Sequence, residues 1–119
     1  MIADPALAAA PVDDGRASAF AAAARRLFEV VGAWDEIAPE AQPILDMVVT
    51  DSRTLDVVRP VFLTFDGDVG PGEPFAHMVP NATVARALWR RAQALGILFR
   101  PAGVESFRAE PGSIAVDFA

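Results

Sequence analysis

Two stretches with apolar residues at helical spacing, each closed by a glycine, constrain the fold of this chain most. The first runs from about Arg16 to Val31 and stops at Gly32, and the second follows Asn81 and stops at Gly96. Residues three or four apart share one face of a helix, and glycine is the usual residue just past a helix end. The predicted buried stripes are Phe20, Ala24, Leu27 and Val31 in the first helix, and Val84, Leu88, Ala92 and Leu95 in the second. Asn81 is the predicted N-cap of the second helix.

Strand-like segments separate and follow these helices. In Ile44–Thr50 the apolar Leu45, Met47 and Val49 face one side and Ile44, Asp46, Val48 and Thr50 the other, which predicts a half-buried strand. Two more strands are predicted over Arg59–Asp66 and Phe75–Val79. A hairpin is expected over 104–118, and Ile2-Ala3 and 97–100 predict short strands. The order of helix, strands, helix, strands predicts an α/β fold, or α+β if the segment stands alone, with two main helices and a mostly antiparallel sheet.

Composition narrows the class of protein. With 119 residues, of which 53% are hydrophobic and 22% charged, the chain is globular, and its net charge of -6 argues against nucleic acid as a partner. It has no cysteine, which fits a cytoplasmic protein. The apolar residues 1–10 are broken by Asp4 and Pro5 and have no basic residues before them, so neither a signal peptide nor a transmembrane segment is expected.

The run Asp14-Gly15-Arg16 at the start of the first predicted helix is the best candidate binding site. Gly15 permits a tight turn, a helix N-terminus offers free amide donors, and Arg16 adds a guanidinium that suits a phosphate. The alternative is structural, with Arg16 paired to Asp13 or Asp14 in the first helical turn.

The same run, with the Trp34-Asp35-Glu36-Ile37 that follows Gly32, resembles the FAD-dependent aromatic hydroxylases of ubiquinone biosynthesis, of the UbiH/UbiF type. The resemblance continues through 44–51, 59–68, 74–81 and 88–96. It implies an FAD cofactor reduced by NAD(P)H, a phenolic substrate carrying a polyprenyl chain, and peripheral association of the parent enzyme with a membrane. Arg16 and Asp14 are the cofactor-binding residues that it implies, and the catalytic residues stay unknown.

By the same resemblance, 1–43 is a segment of the FAD domain, 44–79 contributes strands to the substrate domain, and 80–119 returns to the FAD domain through a helix and a β-hairpin. Similar proteins commonly carry Glu where this chain has Pro80, and that difference removes a carboxylate from beside Asn81.

Two flavin motifs of that family are missing from this chain. Its glycine cluster at Gly67, Gly70 and Gly72 reads G-x-x-G-x-G, is interrupted by prolines and precedes a strand-like segment, whereas dinucleotide binding requires G-x-G-x-x-G opening a helix. The later Gly-Asp flavin motif is also absent. The chain therefore looks like a central fragment that is inactive alone. Apolar residues of the second helix, left uncovered, predict a homo-oligomer.

The remaining polar residues have structural explanations. His77 stands alone in a predicted strand, so a hydrogen-bonded structural histidine is favoured over a proton shuttle, and no metal site is expected. Five charged residues around the predicted sheet are interpreted as solvated turn residues: Asp46, Asp51, Arg53, Asp66 and Asp68. The arginines between 86 and 91 are interpreted as a solvated helix face. A non-catalytic α+β binding or oligomerisation module is the alternative function, and the sequence leaves the substrate and its hydroxylated position open.

Overall fold

The computed structural model describes residues 1–51, 53, 55–66 and 68–119. It is an α+β structure in which most strand pairs are antiparallel, as expected. The helices are α1 (Ala22–Val30), α2 (Trp34–Ile37) and α3 (Asn81–Ala94). The strands are β1 (Ile2–Ala3), β2 (Ala17–Ala21), β3 (Gln42–Ile44), β4 (Asp46–Thr50), β5 (Val61–Asp66), β6 (Asp68–Gly70), β7 (Glu73–Pro74), β8 (Ala76–Pro80), β9 (Phe99–Arg100), β10 (Val104–Glu110) and β11 (Ser113–Phe118).

A three-stranded antiparallel sheet with β8 between β2 and β3 forms the centre of the fold. The three helices lie against it and enclose a small core. Its buried members are Phe28, Ala33, Ile37, Val79, Val84 and Ala87. Ile37 and Val79 are both 0% exposed, so the short helix α2 and the central strand β8 provide the most completely buried side chains.

Three two-stranded antiparallel ribbons extend the chain beyond this core: β4–β5, β6–β7 and β10–β11. The predicted hairpin over 104–118 is confirmed as β10–β11. The predicted short strands at the N-terminus and near residue 99 are confirmed as β1 and β9, which pair in parallel. The predicted strand over 44–50 is divided between β3 and β4, and all residues of β4 are exposed, so the prediction of a half-buried strand was wrong.

The predicted helix from Arg16 to Val31 begins too early. Residues 17–21 form strand β2, which pairs with β8 from Ala17↔Pro80 to Ala21↔Ala76, and helix α1 starts only at Ala22. Alanine favours a helix, but pairing with the central strand satisfies the backbone of this segment and overrides that preference. The buried face of α1 consequently differs from the predicted stripe, since Phe28 is buried and Leu27 is 59% exposed.

Two details of α3 also differ from prediction. Its N-cap is Pro80, which has no side chain to cap the helix, and the side chain of Asn81 instead accepts a hydrogen bond from Ser18 Oγ at 2.7 Å. Val84 and Ala92 are buried as predicted, but Leu88 and Leu95 are exposed. Thr83 and Ala87 are buried instead, so the face of α3 that packs against α2 and the sheet is rotated relative to the predicted stripe.

The end of α1 gives a first test of this packing. Gly32 has φ +74°, and a Cβ placed there would lie 3.2 Å from the guanidinium of Arg91, whose Nε donates to the Val31 carbonyl at 2.7 Å. We expect Gly32→Ala to lower the free energy of unfolding by about 1–2 kcal/mol through backbone strain, plus the displacement of Arg91. Urea denaturation measures this difference.

Gly96→Ala is the matched control, because Gly96 has φ +69° but nothing lies within 4 Å of the position that a Cβ would take there. Its loss of stability reports the backbone strain alone. If the two variants were equally destabilised, the contact of Arg91 with the end of α1 would contribute nothing.

Candidate functional site

Arg16 lies in the loop before β2 and not in the first turn of a helix, so its predicted position was wrong. Its Nε donates to Asp14 Oδ2 at 2.6 Å and its backbone N–H donates to Asp14 Oδ1 at 3.0 Å. The pairing with Asp14 is therefore confirmed. The guanidinium holds the pKa of Asp14 below its ordinary value, chiefly through this side-chain hydrogen bond.

The backbone of Arg16 is fixed beside the start of α3. Its carbonyl accepts a hydrogen bond from Asn81 N–H at 2.9 Å, and Ser18 Oγ donates to Asn81 Oδ1 two residues farther along. The side chain of Arg16 is 77% exposed. The loop before β2 thus places the backbone of Arg16 beside the N-terminus of the 14-residue helix α3, while the exposed side chain pairs with Asp14. This helix is not the one that the sequence suggested.

An exposed arginine is the kind of side chain that can hold one phosphate group of a dinucleotide. The N-terminus of a helix favours an anion, and α3 begins without a side-chain cap, but its first amide already donates to the Arg16 carbonyl and the guanidinium is paired with Asp14. The glycine cluster does not fit the rest of such a ligand. Gly70 and Gly72 belong to the β6–β7 hairpin and are followed by strand β7, as predicted, while Gly67 lies outside the described residues.

A second candidate site is a cleft of about 320 Å³ between α1, α2 and β8. Its lining residues are Arg25, Trp34, Ala38, Ala41, Gly72, Pro74 and His77. Trp34 joins the two polar members, because its ring lies edge-on to His77 at 5.2 Å between centroids and the Arg25 guanidinium lies 5.4 Å from the indole centroid. The sequence alone does not indicate that Arg25, Trp34 and His77 meet, because they come from three separate elements.

His77 is buried, at 9% exposure, as a structural histidine should be. Its Nδ1 has no hydrogen-bond partner within the part of the chain that the structure describes, so the predicted hydrogen bond is not found at that atom. Burial lowers the pKa of His77 below its ordinary value of 6.5, and the charge of Arg25 lowers it further. The imidazole is therefore a neutral, weakly basic group at neutral pH.

The charges around this cleft are balanced. Arg25 contacts Glu29 at 2.7 Å and Glu73 at 3.5 Å, and Glu73 also accepts a hydrogen bond from Arg26 Nε at 3.1 Å. The hydrogen bond from Arg26 lowers the pKa of Glu73. Two arginines facing two carboxylates leave no net charge for an ionic ligand. The cleft is consistent with a structural junction between α1 and β8.

Asp68 and the arginines of α3 take part in contacts within the fold. Asp68 accepts a hydrogen bond from Gly72 N–H at 3.0 Å, as expected of a turn residue, while the side chain of Asp66 lies outside the described part. In the described ranges no three histidine, cysteine or acidic side chains are grouped for a metal ion. The arginines of α3 are not simply solvated, since Arg90 bonds Glu36 at 2.5 Å and Arg91 bonds the end of α1.

No helix in the described part of the chain combines the length and apolar character needed to cross a bilayer. The domain boundaries expected at residues 43 and 79 fall at strand β3 and near the end of β8, both in the central sheet. They remain predictions.

The chain is similar in sequence to a known hydroxylase. No protein-family model matches the sequence. The chain is 35% identical over 109 residues to the ubiquinone hydroxylase UbiL of Rhodospirillum rubrum, an alignment that takes in 90% of this chain and 24% of that protein. Nearly the whole chain is thus similar to about a quarter of a ubiquinone hydroxylase.

Proposed function

We propose that this chain is part of an FAD-dependent monooxygenase that hydroxylates a polyprenylated phenolic ring in ubiquinone biosynthesis. The similarity to the ubiquinone hydroxylase over 109 residues is the observation that carries this proposal. The chain spans only about a quarter of that relative, and its glycine cluster does not suit a dinucleotide. The segment is therefore proposed to be inactive when isolated, in a cytoplasmic parent enzyme that contacts the membrane surface peripherally.

In this proposal Arg16 contacts the phosphates of FAD, and Asp14 orients it. The exposed guanidinium and the fixed backbone of Arg16 support the assignment, because the side chain can reach a ligand while the loop stays in place. FAD, reduced by NAD(P)H, would supply the oxygen chemistry that amino-acid side chains lack. What these residues do is bind and orient the cofactor.

The proposal is tested by a chimera in which this chain replaces the matching segment of the Rhodospirillum rubrum hydroxylase. We expect the purified chimera to retain FAD, measured by flavin absorbance, and Arg16→Ala to weaken FAD binding by at least about tenfold through the loss of a charge-assisted contact. Titration of the chain alone with FAD, followed by flavin fluorescence, is expected to show no saturable quenching.

Arg108→Ala is the matched control. Arg108 lies on β10, is 71% exposed and has a carboxylate oxygen of Glu110, two residues away, at 3.8 Å, so its exposure and its neighbouring acidic residue resemble those of Arg16. A folded chimera without FAD, or equal losses in the two variants, would contradict the proposal. Binding of one FAD by the isolated chain would refute its inactivity.

A second candidate function is a non-catalytic oligomerisation module. The observation in its favour is the amount of apolar side chain that the structure leaves exposed on the β4–β5 ribbon. An oligomerisation module does not need a flavin. The FAD content of the purified chimera therefore distinguishes the two candidate functions.

A further inference from the structure

Both backbone polar groups of Arg16 are held by hydrogen bonds. Its N–H donates to Asp14 Oδ1 at 3.0 Å, and its carbonyl accepts from the Asn81 N–H at 2.9 Å. Asp14 is two residues from Arg16 and belongs to the same loop, so the bond to Asp14 does not tie the loop to the rest of the fold. The bond from Asn81 does, because it extends the pairing of β2 with β8 by one residue to the start of α3.

Ser18 makes a second contact with the same asparagine. It lies on β2, two residues after Arg16, and its Oγ donates to Asn81 Oδ1 at 2.7 Å. This bond is partly buried and joins residues that are 63 positions apart in sequence. Asn81 therefore holds the beginning of β2 twice, since its backbone donates to Arg16 and its side chain accepts from Ser18. Two bonds fix the rotation of β2 relative to the start of α3, which a single bond leaves free.

We propose that Ser18 and Asn81 are positioning residues for Arg16, whose backbone their hydrogen bond holds in place for binding an anionic ligand. The proposal rests on the proposed contact of Arg16 with the phosphates of FAD. The Arg16 side chain is 77% exposed and free of a packed neighbour that would fix its direction, other than its pairing with Asp14. An arginine on a fixed backbone loses less conformational freedom on binding than one on a mobile loop, so Ser18 and Asn81 raise affinity without touching the ligand.

Amide hydrogen exchange of the full chain, followed by NMR, tests this hydrogen bond without a flavin. Ser18→Ala should speed exchange of the Asn81 N–H about two- to tenfold, the ratio that corresponds to losing one hydrogen bond. Ser18→Thr keeps the hydroxyl and should restore slow exchange. The Ala22 N–H is the internal control, because it donates to the Phe75 carbonyl at 2.9 Å at the other end of the same strand pair. No change at Asn81, or equal acceleration at both amides, would overturn the inference.

Titration of the flavin-free chimera with FAD, followed by flavin fluorescence, tests the effect on ligand binding. Ser18→Ala should raise the dissociation constant of FAD about two- to tenfold, and Ser18→Thr should return it to the starting value. Ser106→Ala is the matched control, because Ser106 Oγ donates to Asp117 Oδ2 at 2.6 Å across the β10–β11 hairpin. It removes the same kind of cross-strand hydrogen bond far in sequence from Arg16 and should leave FAD binding unchanged.

A double variant separates positioning from an independent effect of Ser18. Adding Ser18→Ala to Arg16→Ala should weaken FAD binding no further, because no guanidinium remains to be positioned. A further loss in the double variant would overturn the inference. If Arg16→Ala weakens binding and Ser18→Ala does not, the positioning role fails and the contact of Arg16 with FAD stands. If Arg16→Ala has no more effect than Arg108→Ala, the proposed contact fails and the positioning role fails with it.

Discussion

Replacing Ile37 with alanine is expected to lower the free energy of unfolding by about 2–5 kcal/mol, the usual cost of removing a large side chain from a packed core. Ile37 is 0% exposed and belongs to the cluster that contains Phe28, Val79 and Val84. Because small domains are stable by only about 5–15 kcal/mol, and this core is small, the loss should leave the variant largely unfolded at moderate urea concentrations. The midpoint of urea denaturation, followed by circular dichroism, measures it.

Ile114→Ala is the matched control for this experiment. Ile114 lies on β11 and is 66% exposed, so the same chemical change should alter stability by no more than about 0.5 kcal/mol. Similar losses in the two variants would show that the helix α2 does not close the core. A loss confined to Ile37 would place the folding core between α2 and β8.

The sequence predicts those elements whose pattern is local. The glycines that end α1 and α3 have positive φ, and the hairpin β10–β11 is found where its turn residues lie. Strand β2 could not be predicted in this way. Its alternation of exposed and half-buried residues is short, its alanines favour a helix, and its partner β8 lies about 60 residues away in sequence. The pairing that decides its structure is tertiary.

In the candidate site, too, the local contact could be predicted from the sequence and the tertiary contact could not. The pairing of Arg16 with Asp14 spans two residues and follows from their spacing, but the helix beside them does not. Asn81 reaches Arg16 only because β2 and β8 are antiparallel neighbours, and this also removes Asn81 from the capping role that its position before the helix suggested. Likewise, burial of His77 could be expected from its strand, whereas its contact with Trp34 depends on how α2 packs.

Stability is expected to fall as the pH is lowered below about 6.5, because of His77. Its folded-state pKa lies below the ordinary value of 6.5, since burial and the charge of Arg25 disfavour the imidazolium. The unfolded chain therefore binds a proton more readily than the folded one, so stability is complete above 6.5 and decreases as the pH falls through and below that value. Glu73 opposes this shift but is the smallest contributor.

The measurement is urea denaturation at several pH values between 8 and 5, with His77→Gln as the comparison. The glutamine variant is neutral throughout, so its stability should stay nearly constant down to pH 5 even if it starts lower. Below the ordinary pKa of Glu73, 4.5, both proteins should lose stability together, because the hydrogen bond from Arg26 lowers the folded-state pKa of that carboxyl and protonation weakens the pair. Parallel curves between pH 8 and 5 would show that His77 does not control the acid response. A slope present only with histidine would identify the junction of α1, α2 and β8 as the part of the core most sensitive to acid.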